Sequence, residues 1–267
     1  MIRVRLVLIS LVCAAAVHVF AAPDAPVPPL QALSGEQLFQ RLHNETEAVY
    51  QPSGHDYLDA KKFMFSKADN VGCGGAPGVV EFYSRICVQG SSPHGEDYKE
   101  QGDQNNDGTV DSHGMNAEHG WPQGYFDRAY PMKSDLHHVF PTFITPNSAR
   151  AELPFGVVDR AVYATSNGTR KDAKGFEPAD SVKGDVARAM LYFVVRYYDR
   201  EIRSGMRYND FWISRVPMFL EWNRQDPPDD AERRRNELIN QFQGNRNPFV
   251  DDPALADKIG EAVFASH

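Results

Sequence analysis

The chain has 267 residues, 42% hydrophobic and 11% aromatic, which supports a real core and excludes disorder throughout. Its net charge of −8 argues against a protein that holds polyanions by overall charge. The distribution is uneven, with 6 basic and 14 acidic side chains in residues 22 to 111 against 20 and 22 in residues 112 to 267.

Residues 1–21 carry Arg3 and Arg5, then the apolar run Leu6 to Val19, then small residues before Ala22-Pro23. That order predicts a secretory signal peptide cleaved after Ala21 or Ala22. A membrane anchor is the alternative, but the apolar run is shorter than the ~20 residues a span needs. Residues 22–31 include four prolines between Pro23 and Pro29 and read as an extended, proline-rich linker. Folding is expected from residue 32. Ser34-Gly-Glu-Gln37 has capping-box spacing and Leu38, Leu42 and Val49 share a helical stripe, which predicts a helix over 35–49. A second helix is expected over 57–65. Val79 to Val88 is rich in β-branched and aromatic residues and reads as one strand. With Cys13 removed in an exported protein, Cys73 and Cys87 remain for a disulfide.

Residues 89 to 115 are polar and glycine-rich, the mark of a long exposed loop. Within it, Asp103, Asn105, Asp107, Gly108 and Asp111 repeat positions 1, 3, 5, 6 and 9 of an EF-hand loop, although Gly114 stands where the bidentate glutamate belongs. The stretch reads either as a structural Ca²⁺ site or as a simple acidic turn. A strand-like Asp135-Leu-His-His-Val-Phe140 follows, then a turn with Pro141 and Pro146, then Asn147 opening a short helix. Strand alternation there sends His137 and His138 to opposite faces. From Ser181 the pattern is helical, over 182–198, 211–222, 230–242 and 253–264. No linker divides residues 32–267, which are expected to form one domain.

The most informative stretch is Asn116-Ala-Glu-His-Gly-Trp-Pro-Gln123. With the amide of Asn147 it supplies a carboxylate, an adjacent imidazole and a neutral oxygen, the groups needed to hold one divalent metal and activate one water. Glutamate beside histidine is a weak signal alone. Further motifs follow in order: Met132-Lys-Ser-Asp-Leu-His-His138, Asn147-Ser-Ala-Arg150, Pro154-Phe-Gly156, Phe176-Glu-Pro178, Lys183-Gly-Asp-Val-Ala-Arg-Ala189, Arg235-Asn-Glu237 and Gln243-Gly-Asn-Arg-Asn-Pro-Phe249. In these motifs the chain resembles the endonuclease I family of bacterial periplasmic and secreted nucleases, within the His-Me finger (ββα-metal) superfamily. The resemblance covers most of residues 35 to 260.

What the resemblance implies is specific. The fold would be α+β, a largely helical single domain built on a ββα-metal core with a helical C-terminal third. His119 would be the general base, and Glu118 and Asn147 would hold one Mg²⁺ or Mn²⁺. Arg150, three residues after Asn147 on the same helical face, would either contact the phosphate or brace the helix through an ion pair. His137 and His138 would be structural, and Glu177, Asp185 and Arg235 would serve packing and internal ion pairing. The substrate would be DNA, with RNA also open, cut to 5′-phosphate and 3′-hydroxyl ends. The protein would be a bacterial secreted or periplasmic monomer, with no membrane contact after signal cleavage. Two cysteines are too few to carry over the disulfide framework of cysteine-rich members.

A zinc peptidase of the inverse type fails because Met115 stands where a histidine should. A serine hydrolase fails because no Gly-x-Ser-x-Gly occurs. The competing class is a secreted calcium-dependent binding module without catalysis, against which the retained His119 argues.

Overall fold

A computed structural model describes residues 28–48, 56–105 and 107–267. The expected signal peptide, most of the linker and residue 49 of the first helix lie outside the described residues.

Helix α1 (Gly35–Ala48) and α2 (Tyr57–Phe63) come first, α2 opened by the Asp56 carboxylate accepting from the Asp59 amide at 2.9 Å. A π-helical turn (Met64–Ala68) continues α2. The single strand expected over 79–88 is two, β1 (Gly78–Val80) and β2 (Cys87–Gln89), paired antiparallel. The reason lies in Glu81. Its buried carboxylate accepts from the Tyr83 amide at 3.1 Å and from the Ser84 amide and hydroxyl, which folds residues 81–86 into a turn. The Cys73–Cys87 disulfide, with a Cα separation of 5.7 Å, anchors β2 beside it.

Strand β3 (Met115–His119) pairs antiparallel with β4 (Val139–Phe143), placing Glu118 opposite Phe140 and His119 opposite Val139. The segment before β4 is a 3₁₀ turn, Leu136–His138, because Asp135 caps it by accepting from the His137 amide at 3.1 Å. Sequence alternation therefore does not govern His137 and His138. Helix α3 (Ile144–Arg150) follows β4 directly, so that Asn147 lies within the helix and does not open it. Three short strands, β5 (Tyr163–Ala164), β6 (Arg170–Lys171) and β7 (Phe176–Glu177), form a small sheet.

The C-terminal part is helical: α4 (Lys183–Tyr197), α5 (Tyr208–Phe211), α6 (Val216–Gln225), α7 (Asp230–Gln243), α8 (Pro248–Asp251), α9 (Ala254–Ile259) and α10 (Glu261–Ser266). The helix expected over 211–222 divides at Trp212, and that over 253–264 divides at Gly260, whose φ of +85° no helix accepts. Helix α4 is buried on nearly every side, and a Cβ at Gly184 would overlap the Asp226 carbonyl.

Two apolar clusters flank the β3–β4 ribbon. Phe140 on one face joins the larger, which includes α4, Trp121 and Trp212, whereas Ala117, Val139 and Phe143 join a smaller one with Phe65, Val79 and Ile239. The fold is α+β and largely helical.

Candidate active site

Strand β3, strand β4 and α3 form a ββα unit, and its two apolar neighbours hold the end of β3 between them. Glu118 is 3% exposed. Its Oε1 accepts from the Tyr83 hydroxyl at 2.8 Å and from Arg150 Nη1 at 2.6 Å, while no described residue donates to Oε2. Burial raises its pKa, against the opposing pull of the Arg150 cation and these hydrogen bonds.

His119 is 4% exposed, and its Nε2 lies 2.9 Å from the Lys133 carbonyl oxygen. A carbonyl only accepts, so Nε2 carries the ring hydrogen and Nδ1 keeps the lone pair of the neutral ring. The orienting acceptor that the sequence left unnamed is this backbone carbonyl. Burial, then the neighbouring His138 ring at 5.5 Å, push the His119 pKa down to about 3. The imidazole is therefore unprotonated at neutral pH.

Tyr57 packs beside His119. Its ring centroid lies 5.7 Å from that of His119, and its phenol is pushed up to about 12 by burial, with Tyr130 and the Glu118 carboxylate adding to the rise.

Helix α3 is fixed from outside itself. The Ile144 amide donates to the Gly114 carbonyl at 3.1 Å, and the Thr145 amide and hydroxyl donate to Glu100 at 2.7 and 2.8 Å. Glu100 thus acts as a cap supplied by the long loop. Asn147 is half-buried, and its side-chain amide makes no hydrogen bond to a described residue.

Arg150 is fully buried. Beyond Glu118, Nη1 donates to the His119 carbonyl at 2.7 Å, Nη2 to the Gly120 carbonyl at 2.7 Å and Nε to the Leu153 carbonyl at 3.2 Å. The guanidinium also lies 4.2 Å from the Phe155 ring centroid. These contacts are those of the second expectation for Arg150, an ion pair that braces α3 against β3.

The donor set suits a hard divalent ion. Among the described residues one carboxylate oxygen of Glu118 has no donor and the amide oxygen of Asn147 accepts no hydrogen bond, and both side chains belong to elements that Arg150 ties together. Two protein oxygens leave room for waters and phosphate, as Mg²⁺ or Mn²⁺ requires.

The other predicted residues divide clearly. Asp103 accepts from the amides of Asn105, Asp107 and Gly108 at 3.3, 3.1 and 2.7 Å, Asn105 Oδ1 accepts from Asp107 at 3.0 Å, and Asp111 accepts from Gln104 at 2.8 Å. These side chains satisfy the loop's own backbone. Among the described residues no group of three or more His, Cys, Asp or Glu side chains is arranged to hold a metal ion. His137 and His138 are buried, their Nε2 atoms at carbonyl oxygens of Asn245 and Met132, 2.9 and 2.6 Å away. Glu177 binds Arg170 and Lys183, Asp185 pairs with Arg188, and Arg235 grips Asp69 through two nitrogens. All are structural.

Sequence reasoning missed Tyr83, Glu100 and Tyr57. Nothing local signals them, because each acts on a residue far along the chain.

A family model described as Endonuclease I matches residues 34–254. The chain is 40% identical over 154 residues to an extracellular ribonuclease of Bacillus subtilis, covering 54% of this chain and 53% of that protein. It is 30% identical over 132 residues to an extracellular deoxyribonuclease of Aeromonas hydrophila, covering 48% and 53%. A periplasmic deoxyribonuclease of the same organism is 31% identical over 124 residues, covering 45% and 48%. The chain spans about half the length of these curated relatives. Since the family model spans most of the sequence, including the segments that carry Glu118, His119 and Asn147, the chain belongs to the Endonuclease I family.

Proposed function

We propose that this protein is an exported, metal-dependent endonuclease that hydrolyses phosphodiester bonds of DNA and RNA with little base preference. The observation that carries the reading is the contact between His119 Nε2 and the Lys133 carbonyl, which favours the tautomer whose Nδ1 can accept a proton, on the strand that also carries Glu118. The family is metal-dependent in general. Names of relatives that are extracellular or periplasmic, and ribonuclease or deoxyribonuclease, support export and both substrates.

In this mechanism Glu118 and Asn147 would hold one Mg²⁺ or Mn²⁺, which would supply positive charge to offset that building on the phosphate and its leaving group. His119 Nδ1 takes a proton from water as its oxygen bonds to phosphorus. The bond from phosphorus to the 3′-oxygen then breaks, leaving a 5′-phosphate and, after protonation of the leaving oxygen, a 3′-hydroxyl. Arg150 and Tyr83 hold the Glu118 carboxylate in place and touch no substrate.

The test is cleavage of supercoiled plasmid and of single-stranded RNA, with Mg²⁺ or with EDTA, by the wild type and by His119→Ala. Metal-dependent cutting that falls by about 10²- to 10⁴-fold in the variant is expected, in line with loss of a general base. An inert wild type with every divalent metal would sink the reading, and a fully active variant would remove His119 from it.

A further inference from the structure

Arg150 is taken up by β3, so the cation that meets substrate phosphate must come from elsewhere. Lys133 stands out. Its own carbonyl orients His119, its ammonium acts on the same imidazole, and its side chain is half-buried with no ion pair to any described residue. The ammonium lies 5.1 Å from the Tyr57 ring centroid and 5.8 Å from that of Tyr130. Tyr130 is 51% exposed, and its hydroxyl oxygen accepts from the Tyr57 amide at 3.3 Å, which holds an aromatic face at the rim. Lys61 adds a second cation 5.9 Å from the Tyr57 ring, with only the exposed Glu96 carboxylate nearby, at 4.0 Å.

We propose that Lys133 and Tyr130, supported by Tyr57, form the subsite for the nucleotide that flanks the scissile phosphodiester, Lys133 pairing with its phosphate and Tyr130 stacking on its base. The inference rests on the nuclease reading and extends it to substrate placement. A lysine with no carboxylate to satisfy it, placed over two tyrosine rings beside the proton acceptor, suits a backbone phosphate. An exposed ring with its hydroxyl tied down suits any base, because every base has a π-face. Such contacts position a strand without reading sequence. They also supply locally the positive charge that a chain of net charge −8 lacks overall.

The experiment measures binding of a labelled single-stranded oligonucleotide in EDTA across a salt series, for the wild type, Lys133→Gln, Lys133→Arg, Tyr130→Leu and the distant control Lys174→Gln. Steady-state cleavage with Mg²⁺ runs beside it. Lys133→Gln is expected to weaken binding about fivefold and to make the salt slope shallower by about one, with Lys133→Arg restoring both. Tyr130→Leu is expected to weaken binding about tenfold with the salt slope kept. In cleavage, both defects should fall on KM more than on kcat. A Lys133→Gln protein with the affinity and salt slope of the wild type overturns the proposal, as does a loss matched by Lys174→Gln. Absence of cutting by the wild type would count against the nuclease reading alone, since the binding series still decides the subsite.

Discussion

Glu118 is shared between a phenol and a guanidinium, and the two partners have different consequences if removed. Tyr83→Phe deletes one hydrogen bond to a carboxylate that keeps its ion pair. The expected result is a folded enzyme whose half-saturating Mg²⁺ concentration rises about tenfold, within the usual range for a group that orients a metal ligand. Metal titration of plasmid cleavage checks it, and an unchanged curve would free Tyr83 of this role. Arg150→Met strips a buried carboxylate of its counter-charge and leaves the His119 and Gly120 carbonyls without their donor. A loss of about 3–5 kcal/mol is expected in urea unfolding, together with loss of activity. A merely inactive protein of normal stability would return Arg150 to substrate binding.

The α3 helix has seven residues and cannot persist on propensity alone, so its anchorage depends on what the 89–115 loop supplies. Glu100→Ala removes the acceptor of the Thr145 amide and hydroxyl and should lower stability by about 1 kcal/mol, read by urea unfolding, with Asn147 less well held. Asp103→Ala should speed hydrogen exchange at Gly108, whose amide loses its acceptor, and less at Asp107, which keeps Asn105. If added Ca²⁺ slows exchange there in the wild type, the loop is an ion site as well. At this scale the sequence was legible wherever a signal is local. The helix expected over 230–242 is α7, bounded by the Asp229 cap and by Gly244 at φ +85°. It failed wherever a buried charged side chain overrides propensity. Glu81 folds β-prone residues into a turn, Asp135 coils the turn before β4, and Arg150 is drawn inward by Glu118 and two backbone carbonyls. No spacing rule contains those contacts.

Across the molecule, burial keeps three imidazoles neutral. His119 is pushed down to about 3, and His137 and His138 to about 4, in each case first by burial. All three folded values lie below the unfolded one near 6.5, so the unfolded chain binds protons that the folded one refuses. The stability each ring contributes is full above about pH 6.5 and is lost as pH falls toward 4. Glu81, raised by burial, works in the opposite direction at the acid end of that window. The contribution of one ring is isolated by His137→Gln, which should make stability depend on pH less steeply by about one proton between pH 6 and 4.5. An unchanged slope would mean that His137 titrates alike in both states.

Asp135 has a wider reach than any of these. Its carboxylate has no exposed surface and accepts from Tyr192, Arg196 and Tyr197 on α4, and from Gln243 at the end of α7. Residues more than a hundred positions apart therefore close on the turn that lies between Lys133, the anchor of His119, and β4. A chain halted before Gln243 would contain every side chain assigned to chemistry and still lack the two bonds by which Gln243 holds Asp135 and the Leu136 amide, and is expected to cut plasmid more slowly than the full chain. The turn behind His119 is thus a keystone set from the far side of the chain: its last two bonds wait on α7, whichever part of the molecule folds first.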